Sequence, residues 1–117
     1  MDGLFLRFYF QESQKCRDGV AWEWLLKQAN KLRIRGGSAF RAMAGFGHHH
    51  RIHEMTFFEV LSPLAVEVEF IVTEHEAGLL LDLVEKEGLR AFYAKIPAQF
   101  GVINPDQADP LSAAAGS

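Results

Sequence analysis

The sequence predicts an α+β fold in which a four-stranded antiparallel sheet carries two helices on one face. Residues 64–73, LAVEVEFIVT, alternate apolar and polar side chains with the two-residue period of a half-buried strand. Residues 20–34 and 74–87 instead repeat apolar side chains with the period of an amphipathic helix. The chain has 117 residues, of which 49 % are hydrophobic, and this is enough for one domain with one core.

The first half of this pattern begins with an aromatic-rich strand at residues 4–10, LFLRFYF. A helix follows at residues 20–34, and the glycines of RGG at 35–37 end it. On a helical wheel its apolar stripe is formed by Ala21, Trp22, Leu25, Leu26, Ala29 and Leu32. Trp24 falls outside this stripe, on the side that carries lysines.

The second half has a strand at residues 38–44, a loop at 45–55, the strand at 64–73, the helix at 74–87 and a last strand at 89–96 that Pro97 ends. The complete order is strand, helix, strand, strand, helix, strand, which is the ferredoxin-like pattern. We expect residues 1–100 to form the domain. Residues 101–117, which are small, polar and proline-containing, are expected to form a flexible tail.

Two helices can cover only one face of such a sheet, so a second face is left. It is predicted to carry Phe5, Arg7, Tyr9, Glu67, Glu69 and Ile71, with Arg41 from the second strand. This face is either solvated, with ordinary cross-strand charge pairs, or buried in an oligomer. Its large apolar side chains favour an oligomer interface, and Trp24 is a second candidate contact.

Net charge, cysteine content and the length of apolar runs bear on which partners and which cellular compartment we expect. The formal net charge of −3 gives the chain no general attraction for nucleic acid. The single cysteine, Cys16, forms no intrachain disulfide, which fits a reducing cytoplasm. No apolar run is long enough to span a membrane, and the N-terminus lacks the features of a signal peptide. We therefore expect a cytoplasmic protein.

The segment GFGHHHRIH, residues 45–53, holds the candidate ligand-binding residues. Gly45 and Gly47 permit close approach of a ligand to the backbone, and Arg51 adds a permanent positive charge. The histidines could serve an anionic effector or protein partner, or could bind a transition metal. The candidate metal ligands are His48, His50 and His53. A third possibility is that the segment is a solvent-exposed loop with no direct role.

Further basic side chains are candidates for an anion site between subunits, namely Lys15, Arg17, Arg41 and Arg90. No nucleophile elbow, phosphate-binding loop or paired-carboxylate motif is present. The sequence therefore assigns no catalytic residue, and we do not expect an enzyme.

Residues 21–47, AWEWLLKQANKLRIRGGSAFRAMAGFG, followed by RIH, resemble the PII-like family known as domain of unknown function 190, in the GlnB-like superfamily. The resemblance covers about residues 4–97. It implies a ferredoxin-like protomer in a homotrimer whose sheets face inward. In the superfamily, small effectors, typically adenine nucleotides, bind in clefts between subunits near the base of a signalling loop. Some family members are linked to fluoride-exporting membrane channels.

The resemblance thus implies a regulatory homotrimer that binds a small anionic effector, an adenine nucleotide being the candidate, and relays it through residues 45–55 to a transporter or channel. The loop is shorter than in signalling PII proteins and lacks their tyrosine modification site. Two alternatives remain. One is a metal-binding protein resembling the CutA divalent-ion tolerance proteins, and the other is a small enzyme on a dimeric α+β barrel.

Overall fold

The structure, a computed structural model, describes residues 1–45, 53–54 and 65–110. In chain order its elements are β1 Asp2–Gln11, β2 Lys15–Cys16, β3 Gly19–Val20, α1 Ala21–Lys31, β4 Gly37–Arg41, β5 Ala44–Gly45, β6 His53–Glu54, β7 Ala65–Val72, α2 Glu74–Glu87 and β8 Phe92–Gln99. Residues 111–117 of the predicted tail lie outside the described residues.

The main sheet has four strands in the order β4-β7-β1-β8, and its neighbouring strands are antiparallel. Strand β7 lies between β1 and β4, which is the order expected of this pattern. The predicted α+β fold with a four-stranded sheet and two helices is confirmed.

The core lies between one face of this sheet and the two helices. Every second side chain of the two central strands is buried there: Leu4, Leu6, Phe8 and Phe10 from β1, and Val66, Val68, Phe70 and Val72 from β7. Ala77, Leu80 and Val84 face them from α2. The two-residue period of the strands thus separates a buried face from an uncovered one.

Helix α1 is rotated relative to the predicted stripe. Trp24 was expected outside the stripe and on an interface, but its side chain is only 6 % exposed and packs in the core with Ala21, Leu25 and Ala29. Those residues follow the spacing of one helix face. The helix ends at Lys31, so Leu32 is its C-terminal cap and is exposed. The prediction of Trp24 as an intersubunit contact is therefore wrong.

The last strand lies three residues further along the chain than predicted, and Pro97 is inside it. Its partner in β1 is Leu4. Among the described strands, β8 is at the edge of the sheet and pairs with β1 alone. An edge strand tolerates proline because the position without an N–H group can face the unpaired side.

Local signals explain why α2 has the predicted bounds. The Oγ1 atom of Thr73 accepts a hydrogen bond from the backbone N–H of Glu76 at 3.2 Å, and Oε1 of Glu76 accepts one from the backbone N–H of Thr73 at 2.9 Å. This reciprocal capping box fixes the N-terminus. At the other end, Gly88 has a φ of 73°, a left-handed conformation that glycine adopts without strain.

Two adjacent glycines at the start of β4, Gly36 and Gly37, test the packing of the sheet against α1. A Cβ atom on Gly37 would lie 2.5 Å from the buried ring of Phe70, whereas one on Gly36 would meet no atom within 4 Å. We expect Gly37→Ala to lower the free energy of unfolding by about 1–3 kcal/mol, the usual cost of overpacking. Gly36→Ala is the matched control and should leave stability within about 0.5 kcal/mol of wild type. Urea unfolding measures both variants, and equal effects would contradict this packing.

Candidate functional site

The face of the sheet opposite the helices, here called the open face, is defined by the strand register. It carries Ser38 and Phe40 from β4, Glu67, Glu69 and Ile71 from β7, Phe5, Arg7 and Tyr9 from β1, and Phe92, Ala94 and Ile96 from β8. Side chains directly opposite each other in antiparallel strands lie on the same face.

Arg41 does not belong to the open face, contrary to the prediction. Its register partner is Val66, a core residue, so Arg41 lies on the side of the helices. There its Nη2 atom forms an ion pair with Glu12. Phe40, one residue earlier, occupies the open face opposite Glu67. A shift of one residue exchanges the two faces of a strand, and this is why the prediction failed.

A charge cluster of one arginine and two glutamates lies at the centre of the open face. The Nε atom of Arg7 is 3.3 Å from Oε1 of Glu67 and 3.3 Å from Oε2 of Glu69. The three side chains are only 24–33 % exposed. Nε is itself buried and has no partner in hydrogen-bond geometry among the described residues. The cluster is thus partly withdrawn from water within a single chain.

The pKa of Glu67 depends on its burial and on the neighbouring carboxylate of Glu69. Burial is the main cause that raises the pKa of Glu67 above its ordinary value. A hydrogen bond with Glu69 and the negative charge of Glu69 raise this pKa further, while the charge of Arg7 lowers it. Arg7 therefore only partly offsets the cost of placing two carboxylates together.

Apolar side chains surround this cluster. Phe92 is 73 % exposed and Phe40 is 53 % exposed, and these two residues lie on the two edge strands. Ile71 and Ile96 are each 40 % exposed. The open face therefore exposes apolar area around a half-buried charge cluster, and it is the exposed apolar area that is typical of an interaction surface.

The predicted anion-binding cations lie at one end of the sheet. Arg41 ends β4, and the backbone of Gly45 pairs with that of His53 just beyond it. The amide of Gln14, next to Lys15, donates a hydrogen bond to the carbonyl of Arg90 at 2.8 Å.

Carboxylates already accompany two of these cations. Arg41 pairs with Glu12, and Nη2 of Arg17 lies 3.5 Å from Oε1 of Glu87. Lys15 and Arg90 are in no ion pair within the described ranges 1–45 and 65–110, and both are exposed. Lys15 and Arg90 are therefore the better candidates for contact with an anion.

Gly47, His48, His50 and Arg51 lie outside the described residues, and His53 is described by its backbone alone. Their predicted roles remain predictions. Across the part of the chain that the structure covers, no group of three side chains is arranged to hold a metal ion. Within that same part, no helix is long and apolar enough to cross a membrane.

The family model described as "Uncharacterized ACR", the domain of unknown function 190, matches residues 3–90. The chain belongs to this family. The resemblance inferred from the sequence is thereby confirmed. A curated relative, a UPF0166 protein of Aquifex aeolicus (strain VF5), is 29 % identical over 80 residues, which are 68 % of this chain and 76 % of the relative.

Among solved structures, this family member is similar to CPII of Thiomonas intermedia K12, a nitrogen regulatory PII-like protein whose structure is bound to ADP, AMP and bicarbonate. The TM-score is 0.60 at 14 % sequence identity, over 88 % of this chain and 97 % of CPII. The match shows that the domain of unknown function 190 has a PII-like fold here.

Phe40, Phe92 and Ile96 are residues of the open face in this family member that the sequence prediction missed. The signal for Phe40 was present, because placing small Ala39 toward the core puts its neighbours outward. The sequence of β8 alternates less clearly between apolar and polar residues, because Lys95 and Pro97 occupy positions on the helix side. Phe92 and Ile96 were therefore harder to assign to the open face.

Proposed function

We propose that this protein is a PII-like regulatory protein. It assembles as a homotrimer through its open face and binds a small anionic effector, an adenine nucleotide, at clefts between subunits. It relays binding through residues 45–55 to a partner such as a transporter or channel. The observation that carries the proposal is the uncovered apolar face on a fold similar to that of CPII.

The open face is large enough to support assembly. The four strands are 5 to 10 residues long. At about 3.3 Å per residue and about 4.8 Å between strands, they give a flat area of about 500 Å². Two such faces in contact bury about 1,000 Å², the lower bound for a specific interface. The exposed phenylalanines and isoleucines supply the apolar contacts that such an interface needs.

The basic end of the sheet supports an anionic effector. Lys15 and Arg90 are exposed there, and the amide of Gln14 donates a hydrogen bond to the carbonyl of Arg90. CPII, which has a similar fold, is bound to ADP, AMP and bicarbonate, and all three ligands are anions. An adenine nucleotide is therefore the first effector to test.

The second candidate function is divalent-metal binding of the CutA-like type, favoured by the four histidines within residues 48–53. Imidazole nitrogens are good ligands for transition metals. The same segment therefore supports two proposals, which respond in opposite directions to pH.

The first prediction separates the open face from the surface of the helices. Ile71 on the open face and Leu79 on α2 are each 40 % exposed. We expect Ile71→Glu to dissociate the oligomer at micromolar concentration, because it would add a third carboxylate to a face on which Arg7 already accompanies two. Leu79→Glu introduces the same group on the helix side and should preserve the assembly. Light scattering coupled to size-exclusion chromatography gives both masses.

A monomeric wild-type protein would refute the assembly, and a dimer would favour the α+β barrel alternative over the trimer. Dissociation of the Leu79→Glu variant alone would instead place the interface on the helices.

The second prediction concerns Arg51 and the histidines. If the ligand is an adenine nucleotide, Arg51→Ala should weaken ADP binding by about tenfold to a hundredfold, as expected for a hydrogen bond to a charged group. Each single His→Ala change should have a smaller effect at neutral pH, where ordinary imidazole is mostly neutral. Arg35→Ala is the control, since Arg35 stacks on Phe100 at the opposite end of the sheet. Titration calorimetry measures each affinity.

Metal binding would reverse this order. His48→Ala or His50→Ala would then remove a ligand, whereas arginine has no lone pair to donate. Metal affinity would fall as pH decreases through the histidine range, and anion affinity would rise. Wild-type protein that binds neither ADP, AMP nor Zn²⁺ would contradict both candidate functions of this segment.

A further inference from the structure

The open face carries more negative charge than its arginine can balance, and we propose that assembly through this face takes up one proton per protomer, held between Glu67 and Glu69. The inference rests on the assembly proposed above and adds a pH-dependent control to it. The central observation is the half-buried cluster of Arg7 and the two glutamates.

The charge imbalance follows from the residues on the open face. Arg7, Glu67 and Glu69 are the charged side chains that the described main-sheet strands place there. Because every copy presents the same three charges, no packing of open face against open face supplies a second cation. One carboxylate per protomer therefore remains unbalanced when water leaves the interface.

Among the described residues, the register partners of Glu67 are Tyr9 on β1 and Phe40 on β4, and neither side chain is a cation. Both helices lie behind the sheet, on the opposite face. The groups that determine its protonation are therefore Arg7 at 3.3 Å and the carboxyl group of Glu69.

A proton resolves the imbalance with little change in structure. A protonated carboxyl group donates a hydrogen bond to the neighbouring carboxylate, whereas two carboxylates repel each other. The remaining charges, one guanidinium and one carboxylate, then cancel. This neutral arrangement costs far less to bury than one with a net charge.

The sign of the pH dependence follows from the same cause. Burial, reinforced by Glu69, raises the pKa of Glu67, so the folded chain holds this proton more tightly than the unfolded chain does. The stabilisation by the proton is complete below the unfolded pKa and is lost as pH rises through the folded pKa. Covering the open face removes more water and acts in the same direction. The association constant should therefore increase as pH falls.

Sedimentation velocity of the full chain at about pH 5.5 and about pH 8 tests this dependence. Linkage gives up to about a tenfold change in the association constant per pH unit for each proton taken up. We expect wild-type protein to associate at least about tenfold more tightly at the lower pH. Glu67→Gln, whose amide can donate to Glu69 as the protonated acid does, should associate tightly at both values.

Glu85→Gln is the matched control, because it removes the same charge from an exposed position on α2. It should keep the pH dependence of wild type. Both variants lose one negative charge and keep every histidine, so a loss of pH dependence in Glu67→Gln alone would come from the cluster. An equal pH dependence in wild type and Glu67→Gln, or none in wild type, overturns proton uptake and leaves the assembly standing. A monomer at both pH values overturns the assembly itself.

Discussion

The structure depends on one geometric constraint, which is that two helices cover only one face of a four-stranded sheet. The alternation of side chains in β1 and β7 places the largest apolar residues under the helices. The other half of each strand must then face water or another molecule. In this protein that half carries phenylalanines and isoleucines around a charge cluster, so the sheet has apolar side chains on both faces.

The open face balances two opposing contributions. Its apolar side chains favour contact with another surface, since removing them from water is favourable by about 25 cal/mol per Å². Its charge cluster opposes that contact, because Arg7 offsets only one of two neighbouring carboxylates. Association is therefore expected to be specific and sensitive to protonation. A purely apolar sheet face would associate more strongly but with less control over its partner.

Local signals in the sequence predicted much of the fold. The alternation of residues 64–73 predicted β7, and the helical period of residues 74–87 predicted α2, both almost to the residue. What failed depends on tertiary packing. The face of Arg41 follows from its pairing with Val66, and the burial of Trp24 follows from how α1 rotates against the sheet. Neither relation is encoded in a short stretch of sequence.

Less of the candidate site than of the fold could be predicted, because parts of it depend on strand pairing and on a second chain. Residues 21–47 carried enough of the family pattern to identify it, and the cross-strand pairing of Arg7 with both glutamates follows from the strand order. The edge strand β8 escaped prediction because its helix-side positions include Lys95 and Pro97 and give no clear alternation. The proposed effector cleft depends on a second chain, whose position no single sequence specifies.

Native mass spectrometry of the protein mixed with ADP measures assembly and nucleotide binding together, because one spectrum counts both chains and bound nucleotides. We expect a species of three 13.2 kDa chains that carries up to three ADP molecules. A single chain of 13.2 kDa, or a trimer that never retains ADP or AMP, would contradict a regulatory assembly of the PII-like kind.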